Sequence, residues 1–427
     1  MKTVDTTLLK DLEARGLLFQ STDREELEEL LSSPQTLYCG FDPSADSLHI
    51  GSLVPLLTLR RFQLAGHRPL ALVGGATGLI GDPSFKAQER KLNDDSTVKG
   101  WTECLRKQVS QYLDMNNAEV VNNLDWVGNM NVIDFLRDIG KHFSVNAMMK
   151  KEAVKTRLER EDVGISFTEF SYALLQGLDF AELNKTHNCT LQVGGSDQWG
   201  NITAGVDLTR RMNGNSVQAL TLPLVTKSDG TKFGKTESGT IWLDAEKTSP
   251  YAFFQFWLNT ADDDVEKFLK YFTFLDMDEI AAVVAEHSEA PHKRVGQTKL
   301  AEEVTKLVHG EEGLEQALHL TSVVFSNEDD KWQRLSAKDF EQLKQDGLPA
   351  TAMDENEVPI LLALSTTGLA SSNRQAREFV DAGTVKLNGH AIAKKDYNAP
   401  VKTDDALFNK FTVLQVGKKK THLVYWK

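Results

Sequence analysis

The chain has 427 residues, 41% of them hydrophobic and 26% charged, an ordinary globular composition that excludes wholesale disorder and fits two or three domains. Its formal net charge of −13 speaks against a uniformly basic nucleic-acid binder. Three widely spaced cysteines, Cys39, Cys104 and Cys189, exclude a zinc ribbon or a disulfide framework and fit a reducing, cytoplasmic setting. No apolar stretch is long enough to span a membrane, and the start, MKTVDTTLLKDLEARG, lacks the apolar core of a secretory signal.

In chain order, the first half alternates short β-rich runs with long helical patterns. Thr36–Phe41, Pro69–Gly74, Ala118–Val121 and Thr190–Val193 read as buried strands, and Ile50–Ala65, Thr97–Leu113, Phe167–Leu183 and Gln198–Met212 as helices. The alternation predicts an α/β fold, a Rossmann-like parallel sheet with helices on both faces, over residues 1–247. Ligands of such sheets bind beyond the carboxyl ends of the strands, so a site is expected just after Phe41, Gly74 and Val193. From Ser249 to Phe325 amphipathic segments at Asp263–Phe272, Asp276–His287 and Val295–Val308 predict a small α-helical domain over 248–326. Residues 327–357 are acidic, with nine Asp and Glu against four Lys and Arg, and with Gly347 and Pro349 they read as a linker, to which Phe340 and Leu343 could give some structure. The tail, 358–427, combines a helical pattern at Asn373–Ala382 with a hairpin signal at Asn388–Gly389 and further strands, a small α+β domain. Ala370–Lys427 carries +6, including Arg374, Arg377 and the run Lys418, Lys419, Lys420, while the remainder carries −19. A basic module on an acidic body is the pattern of local nucleic-acid contact, although a solvated basic face would look the same.

The familiar phosphate loops fail. Gly74-Gly75-x-x-Gly78-x-x-Gly81 lacks the GxGxxG spacing, and Gly230–Thr236 is one residue short of GxxxxGK[ST]. More specific is YCGFDPSADSLHIGS, from Tyr38 to Ser52: a strand, a loop and a helix start. There His49 and free helix N–H groups would face a ligand at the strand's end, which suits a phosphate gaining charge. Gly51, without a side chain, lets a flat base lie against the helix backbone. Downstream, KFGKT puts Lys232, Lys235 and Thr236 on a glycine-hinged loop able to close over a triphosphate. Tyr172, Gln176 and Asp179 recur at i, i+4 and i+7 on one helical face, which suits a polar pocket and equally a mixed surface stripe. Asp82 in GDPS reads as a turn residue, and Asp197 and Gln198 as helix caps, though a helix start is also a binding site. No histidine spacing indicates metal ligands.

These segments, in this order, resemble the class I aminoacyl-tRNA synthetases, whose signatures are HIGH and KMSKS. With GGATGLIGDPS, SFTEFSYALLQGLDF and LQVGGSDQWGNITAG, the resemblance is to the bacterial tyrosyl-tRNA synthetase family along nearly the whole chain. The stretch SSNRQAREFVDAGTVKLNG resembles that family's S4 RNA-binding domain. Ser52 stands where the first signature ends in His, and the second signature reads KFGKT.

The resemblance implies a tyrosine–tRNA ligase that forms tyrosyl-adenylate and then esterifies tRNA(Tyr). Residue by residue, it implies that Tyr38 and Asp179 bind the phenolic hydroxyl of L-tyrosine, that Tyr172, Gln176 and Asp82 hold its ammonium, and that Gln198 meets its carboxyl end. It implies nucleotide contacts at Gly51, Ser52, Gly195 and Asp197, and action on the phosphates by His49, Lys232, Lys235 and Thr236, helped by Lys86 and Arg90. The implied partners are ATP with Mg²⁺, L-tyrosine, tRNA at Arg374, Arg377, Lys418, Lys419 and Lys420, and a second copy of the chain through Phe167 and Ile133–Phe143, segments whose pattern suits a core placement equally. No protein-bound metal and no membrane are expected. The alternatives are the tryptophanyl branch of the class, a synthetase-derived RNA-binding cofactor, and a nucleotidyltransferase of the HxGH kind, which would not need the basic tail. Tyr38 with Asp179 favours a hydroxyl-bearing side chain over an indole.

Overall fold

Six strands build the sheet that organises the first part of the chain: β1 (Gln20–Ser21), β2 (Thr36–Phe41), β3 (Arg68–Val73), β4 (Glu119–Asn122), β5 (Cys189–Gly195) and β6 (Gln218–Leu222). Their order is β1-β6-β5-β2-β3-β4. The pairs among β2 to β6 are parallel, and β1 closes one edge antiparallel to β6. The chain runs outward from β2 to β4, then returns to the other side of β2 with β5 and β6. The order therefore reverses between β2 and β5, the point where open α/β sheets bind ligands. This computed structural model describes residues 4–84, 92–159, 164–231, 233–236, 239–417 and 420–427, with the backbone alone at 152, 153, 235 and 236. Lys86, Arg90, Lys232, Lys418 and Lys419 lie outside the described residues.

The four expected strands form, Thr36–Phe41 with the same limits and the other three shifted by one or two residues; β1 and β6 are additions. Parallel strands covered on both faces read as continuous apolar runs, and Leu37, Leu70, Leu72, Leu191 and Val193 are accordingly buried. The principal helices of this unit are α1 (Leu53–Leu64), α2 (Asp95–Ser110), α3 (Phe167–His187), α4 (Trp199–Asn213), α5 (Asp262–Phe272) and α6 (Met277–Glu289). Their ends follow local chemistry. Ser166 caps α3 by accepting the Glu169 N–H, and Asn188 ends it in the left-handed conformation. Gly214 ends α4 in the same way. The expected helix Ile50–Ala65 is instead a 3₁₀ turn, Ile50–Ser52, followed by α1.

The chain divides into two compact units, Met1–Asp244 with Ala261–Glu289, and Ala245–Thr260 with Ala290–Lys427. The stretch 248–326, expected as one helical domain, is thus shared. Helices α5 and α6 belong to the first unit, while helix Pro250–Leu258 and α7 (Val295–Val324) belong to the second. Helix α7 is interrupted at Gly310, which is why its sequence pattern fades after Val308.

The second unit carries a five-stranded sheet of order β12-β11-β14-β15-β9, from β9 (Ala350–Met353), β11 (Val385–Leu387), β12 (His390–Ala391), β14 (Phe411–Val416) and β15 (Lys420–Trp426), and a separate pair, β10 (Glu357–Pro359) with β13 (Pro400–Lys402). Helix α8 (Asn373–Asp381) covers it. The acidic stretch 327–357, read as a linker, is folded. Trp332, Leu335, Phe340 and Leu343 are buried in one core with Tyr251, Leu320, Phe411 and Leu423. Ser336 and Asp339 form a capping box there, a signal the acidic composition masked.

Candidate active site

A cavity of about 660 Å³ opens at the carboxyl ends of β2 and β5, the switch point of the sheet. It is lined by Tyr38, His49, Gly51, Ser52, Asp82, Tyr172, Gln176, Asp179, Gly195, Asp197 and Gln198, every predicted pocket residue outside the lysine-bearing loops.

The deep end is set by β2 and α3. Tyr38 points from the strand, buried, with its ring edge-on to Phe180 at 5.3 Å. Its hydroxyl, Gln176 Oε1 and Gln192 Oε1 are buried without a hydrogen-bond partner among the described residues. Leaving a buried polar group unmatched costs about 1–3 kcal/mol, so this end is built for a polar ligand. The i, i+4, i+7 spacing puts Tyr172, Gln176 and Asp179 on the α3 face toward the cavity. The Asp179 carboxylate accepts from Trp126 Nε1 at 2.9 Å and Asn123 Nδ2 at 3.1 Å. Burial nevertheless pushes its carboxyl up to about 7, against the lowering effect of those two hydrogen bonds. Burial, then the Asp179 charge, raises the Tyr38 phenol well above its ordinary value, so it stays a neutral donor.

Asp42, one residue past β2, is a site residue that sequence reasoning overlooked. It accepts from the Tyr172 hydroxyl and from Thr77 Oγ1, both at 2.6 Å. A Cβ on Gly74 would lie 2.0 Å from Asp42 Oδ1, so glycine after β3 is required by this carboxylate. The signal was present, since Asp42 directly follows a strand end where ligands are expected. Asn123 and Trp126 were missed for want of any local signal. Asp82 closes a turn by accepting the Ser84 N–H, and its other oxygen accepts from Gln198 Nε2 at 2.7 Å. It is thus both a turn residue and a cavity residue.

At the other end, His49 caps the 3₁₀ turn: its Nδ1 accepts the Gly51 N–H at 3.0 Å. In the neutral ring the proton then sits on Nε2, a donor. Lys235 and Thr236 form β7, paired with β8 (Gly239–Thr240) in a small hairpin. The two signature segments are stitched together by backbone. Ile50 N–H donates to Ile241 O at 2.9 Å, Leu243 N–H to Leu48 O at 2.9 Å, and Ile241 N–H to Gly234 O at 3.1 Å.

The tail residues stand in the second unit. Arg374 is exposed and pairs with Glu378 at 3.0 Å, Arg377 lies 5.8 Å over the Tyr397 ring, and Lys420 lies 5.8 Å over Phe379. Among the described residues no group of three or more His, Cys, Asp or Glu is placed to hold a metal ion. Among them, too, no helix is long and apolar enough to cross a membrane.

The family described as "tRNA synthetases class I (W and Y)" matches residues 31–326, and the "Tyrosine--tRNA ligase SYY-like C-terminal domain" matches 339–424. The chain is 61% identical over 430 aligned positions to a tyrosine–tRNA ligase of Aliivibrio salmonicida, covering 100% of both. It is 58% identical to that of Chromobacterium violaceum, covering 99% of each. Among solved structures it is similar to a C-terminally truncated mitochondrial tyrosyl-tRNA synthetase of Aspergillus nidulans, with TM-score 0.66, 32% identity, and 73% of this chain and 92% of that one covered. A tryptophanyl-tRNA synthetase of Encephalitozoon cuniculi, at 14% identity and TM-score 0.55 over 80% of this chain and 95% of that one, shares the fold.

Proposed function

The chain belongs to the tyrosine–tRNA ligases of the class I tRNA synthetase family, and we propose that its cavity activates L-tyrosine with ATP before the tyrosyl group passes to tRNA(Tyr). The observation that carries the reading is the deep end of the cavity, where an unmatched Tyr38 hydroxyl and the Asp179 carboxylate line one polar recess. A phenolic hydroxyl there accepts from Tyr38 and donates to Asp179. Tyr172, Gln176 and Asp82 hold the ammonium, with Asp42 orienting the Tyr172 hydroxyl. Gln198 meets the carboxyl end, Gly195 and Asp197 the ribose, Gly51 the adenine, and Ser52 the sugar.

The tyrosine carboxylate attacks the α-phosphorus of ATP, the bond to the β-phosphate oxygen breaks, and pyrophosphate leaves. The nucleophile is already an anion, so this step needs no general base. Position and charge neutralisation supply the acceleration. His49 donates from Nε2 to the phosphates, and Lys232, Lys235 and Thr236, with Lys86 and Arg90, balance the charge of the departing pyrophosphate. Mg²⁺ arrives with ATP, on oxygens of the phosphates. In the second step a terminal ribose hydroxyl of tRNA attacks the tyrosyl carbonyl and gives up its proton, the bond from the carbonyl carbon to the phosphate oxygen breaks, and AMP leaves.

The second unit serves the RNA, with Arg374, Arg377 and Lys418–Lys420 as phosphate contacts, and the setting is the cytoplasm. The chain works as a homodimer. Phe167, 76% exposed, and Ile133, 63% exposed, with Leu136, leave apolar surface on the first unit that a second copy would cover. ATP–pyrophosphate exchange with each amino acid tests the reading. Exchange supported by tyrosine and not by tryptophan is expected; exchange with tryptophan alone, or with neither, removes it.

A further inference from the structure

Resting on the ligase reading above, we infer that helix α5 positions the KFGKT loop: Phe233 is seated against Phe268 and Phe272, Asp264 holds Ser228 ahead of it, and Gly234 bears on Ile50. The Phe233 ring stands edge-on to Phe268 at 5.1 Å and stacked on Phe272 at 5.2 Å. Both α5 rings are buried, so this seat belongs to the fixed core rather than to the surface. Five residues before Phe233, the Ser228 N–H donates to both oxygens of the buried Asp264 carboxylate at 3.0 Å and the Ser228 hydroxyl donates to it at 3.1 Å. Lys267 donates to Asp264 at 2.6 Å and to the Thr226 carbonyl at 2.7 Å. Asp264 lies in the first turn of α5, where the helix field favours a carboxylate.

The third point of attachment faces the other signature. Gly234 has φ +77°, and a Cβ on it would lie 2.5 Å from Ile50 Cγ2. Its carbonyl accepts from Ile241, whose own carbonyl accepts from Ile50, the neighbour of His49. Lys232 and Lys235 flank the seated pair in sequence, so the segment between them is tied to α5 on one side and to the His49 turn on the other. The seat also accounts for the departures from KMSKS. Serine in place of Gly234 would combine a disfavoured φ with a clash on Ile50. Methionine, the signature residue at the Phe233 position, suits the same aromatic notch through its flexible thioether.

The test is single-turnover tyrosyl-adenylate formation in Phe233→Ala, Phe233→Met and Asp264→Asn, with tyrosine affinity and Tm measured for each. Phe233→Ala is expected to slow the step about a hundredfold, the size brought by a misplacement of roughly 1 Å, while tyrosine affinity holds at its wild-type value and Tm falls by only about a few degrees. Phe233→Met is expected to recover the rate to within about threefold of wild type. Asp264→Asn, which keeps an acceptor for Ser228 and loses the charge facing Lys267, should fall between them. An unchanged rate in Phe233→Ala, or a loss shared equally by rate, affinity and Tm, overturns the seat while the ligase reading stands. A wild-type chain that forms no adenylate from tyrosine overturns both.

Discussion

At the Asp179 end of the cavity the recognising groups stand on a strand, a long helix or a strand end, and both carboxylates are held by other side chains, Trp126 and Asn123 on Asp179, Thr77 and Tyr172 on Asp42. At the His49 end the groups stand on a 3₁₀ turn and on a short glycine-hinged hairpin that backbone hydrogen bonds join to that turn. One end is a rigid template, the other a set of donors and cations on short elements. On the proposed reading, the contrast follows from what each end must meet. A side chain is recognised by groups that cannot adapt to the wrong one, whereas charge on a departing pyrophosphate is met by groups that reach it as it forms.

The sharpest way to break the template is Asp179→Ala. Tyrosyl-tRNA synthetases are the known case of a polar site rejecting phenylalanine, by about 10⁵-fold. Removing the acceptor removes both the attraction for the hydroxyl and the penalty for its absence. The ratio of kcat/KM for tyrosine over phenylalanine is expected to shrink by about a hundredfold or more. Undiminished discrimination in a folded variant would show that the hydroxyl is read elsewhere.

How far the two ends could be read from the sequence also differs. The face carrying Tyr172, Gln176 and Asp179 was legible, because helical spacing alone aligns it. Its supports were not: Trp126 and Asn123 reach Asp179 from more than fifty residues away, and no local pattern announces that. β6 was missed for a similar reason. Gln218 and Thr221 interrupt its apolar run and are matched by partners distant in sequence, Glu26 and the Gln20 carbonyl. The stretch 327–357 misled through its surface: eight of its nine acidic residues are exposed, while Trp332, Phe340 and Leu343 form a core that composition averages away.

A third region bears on the comparison from outside the cavity. If the second unit serves RNA alone, Arg374→Ala with Arg377→Ala should leave tyrosine-dependent pyrophosphate exchange intact and weaken tRNA charging. The slope of log affinity for tRNA against log salt should become shallower by about two, one for each phosphate that is no longer neutralised. An unaltered slope would mean that these arginines face solvent or protein.

A further expected effect is thermodynamic. The Asp179 carboxyl is held at about 7 in the folded chain against an ordinary 3.8. The folded state therefore keeps a proton that the unfolded state releases first as pH rises, so this contribution is full below 3.8 and is lost as pH climbs through about 7. Its slope is at most about 1.4 kcal/mol per pH unit. Thermal unfolding of the unliganded protein should show a fall in Tm over this window that Asp179→Asn lacks. Parallel profiles would mean that the carboxyl is ionised throughout.

The division of labour between the two ends is tested most directly by a double-mutant cycle joining them, with Asp179→Asn, Lys235→Ala and the pair measured in single-turnover adenylate formation across tyrosine concentrations. Lys235→Ala alone should lower the maximal rate about a hundred- to thousandfold, the usual cost of removing one transition-state interaction. It should leave tyrosine affinity unchanged, while Asp179→Asn acts chiefly on affinity. The account predicts that the two losses in kcat/KM add, with a coupling within about 0.5 kcal/mol. A coupling above about 1 kcal/mol, or a Lys235→Ala enzyme that binds tyrosine poorly, would contradict it.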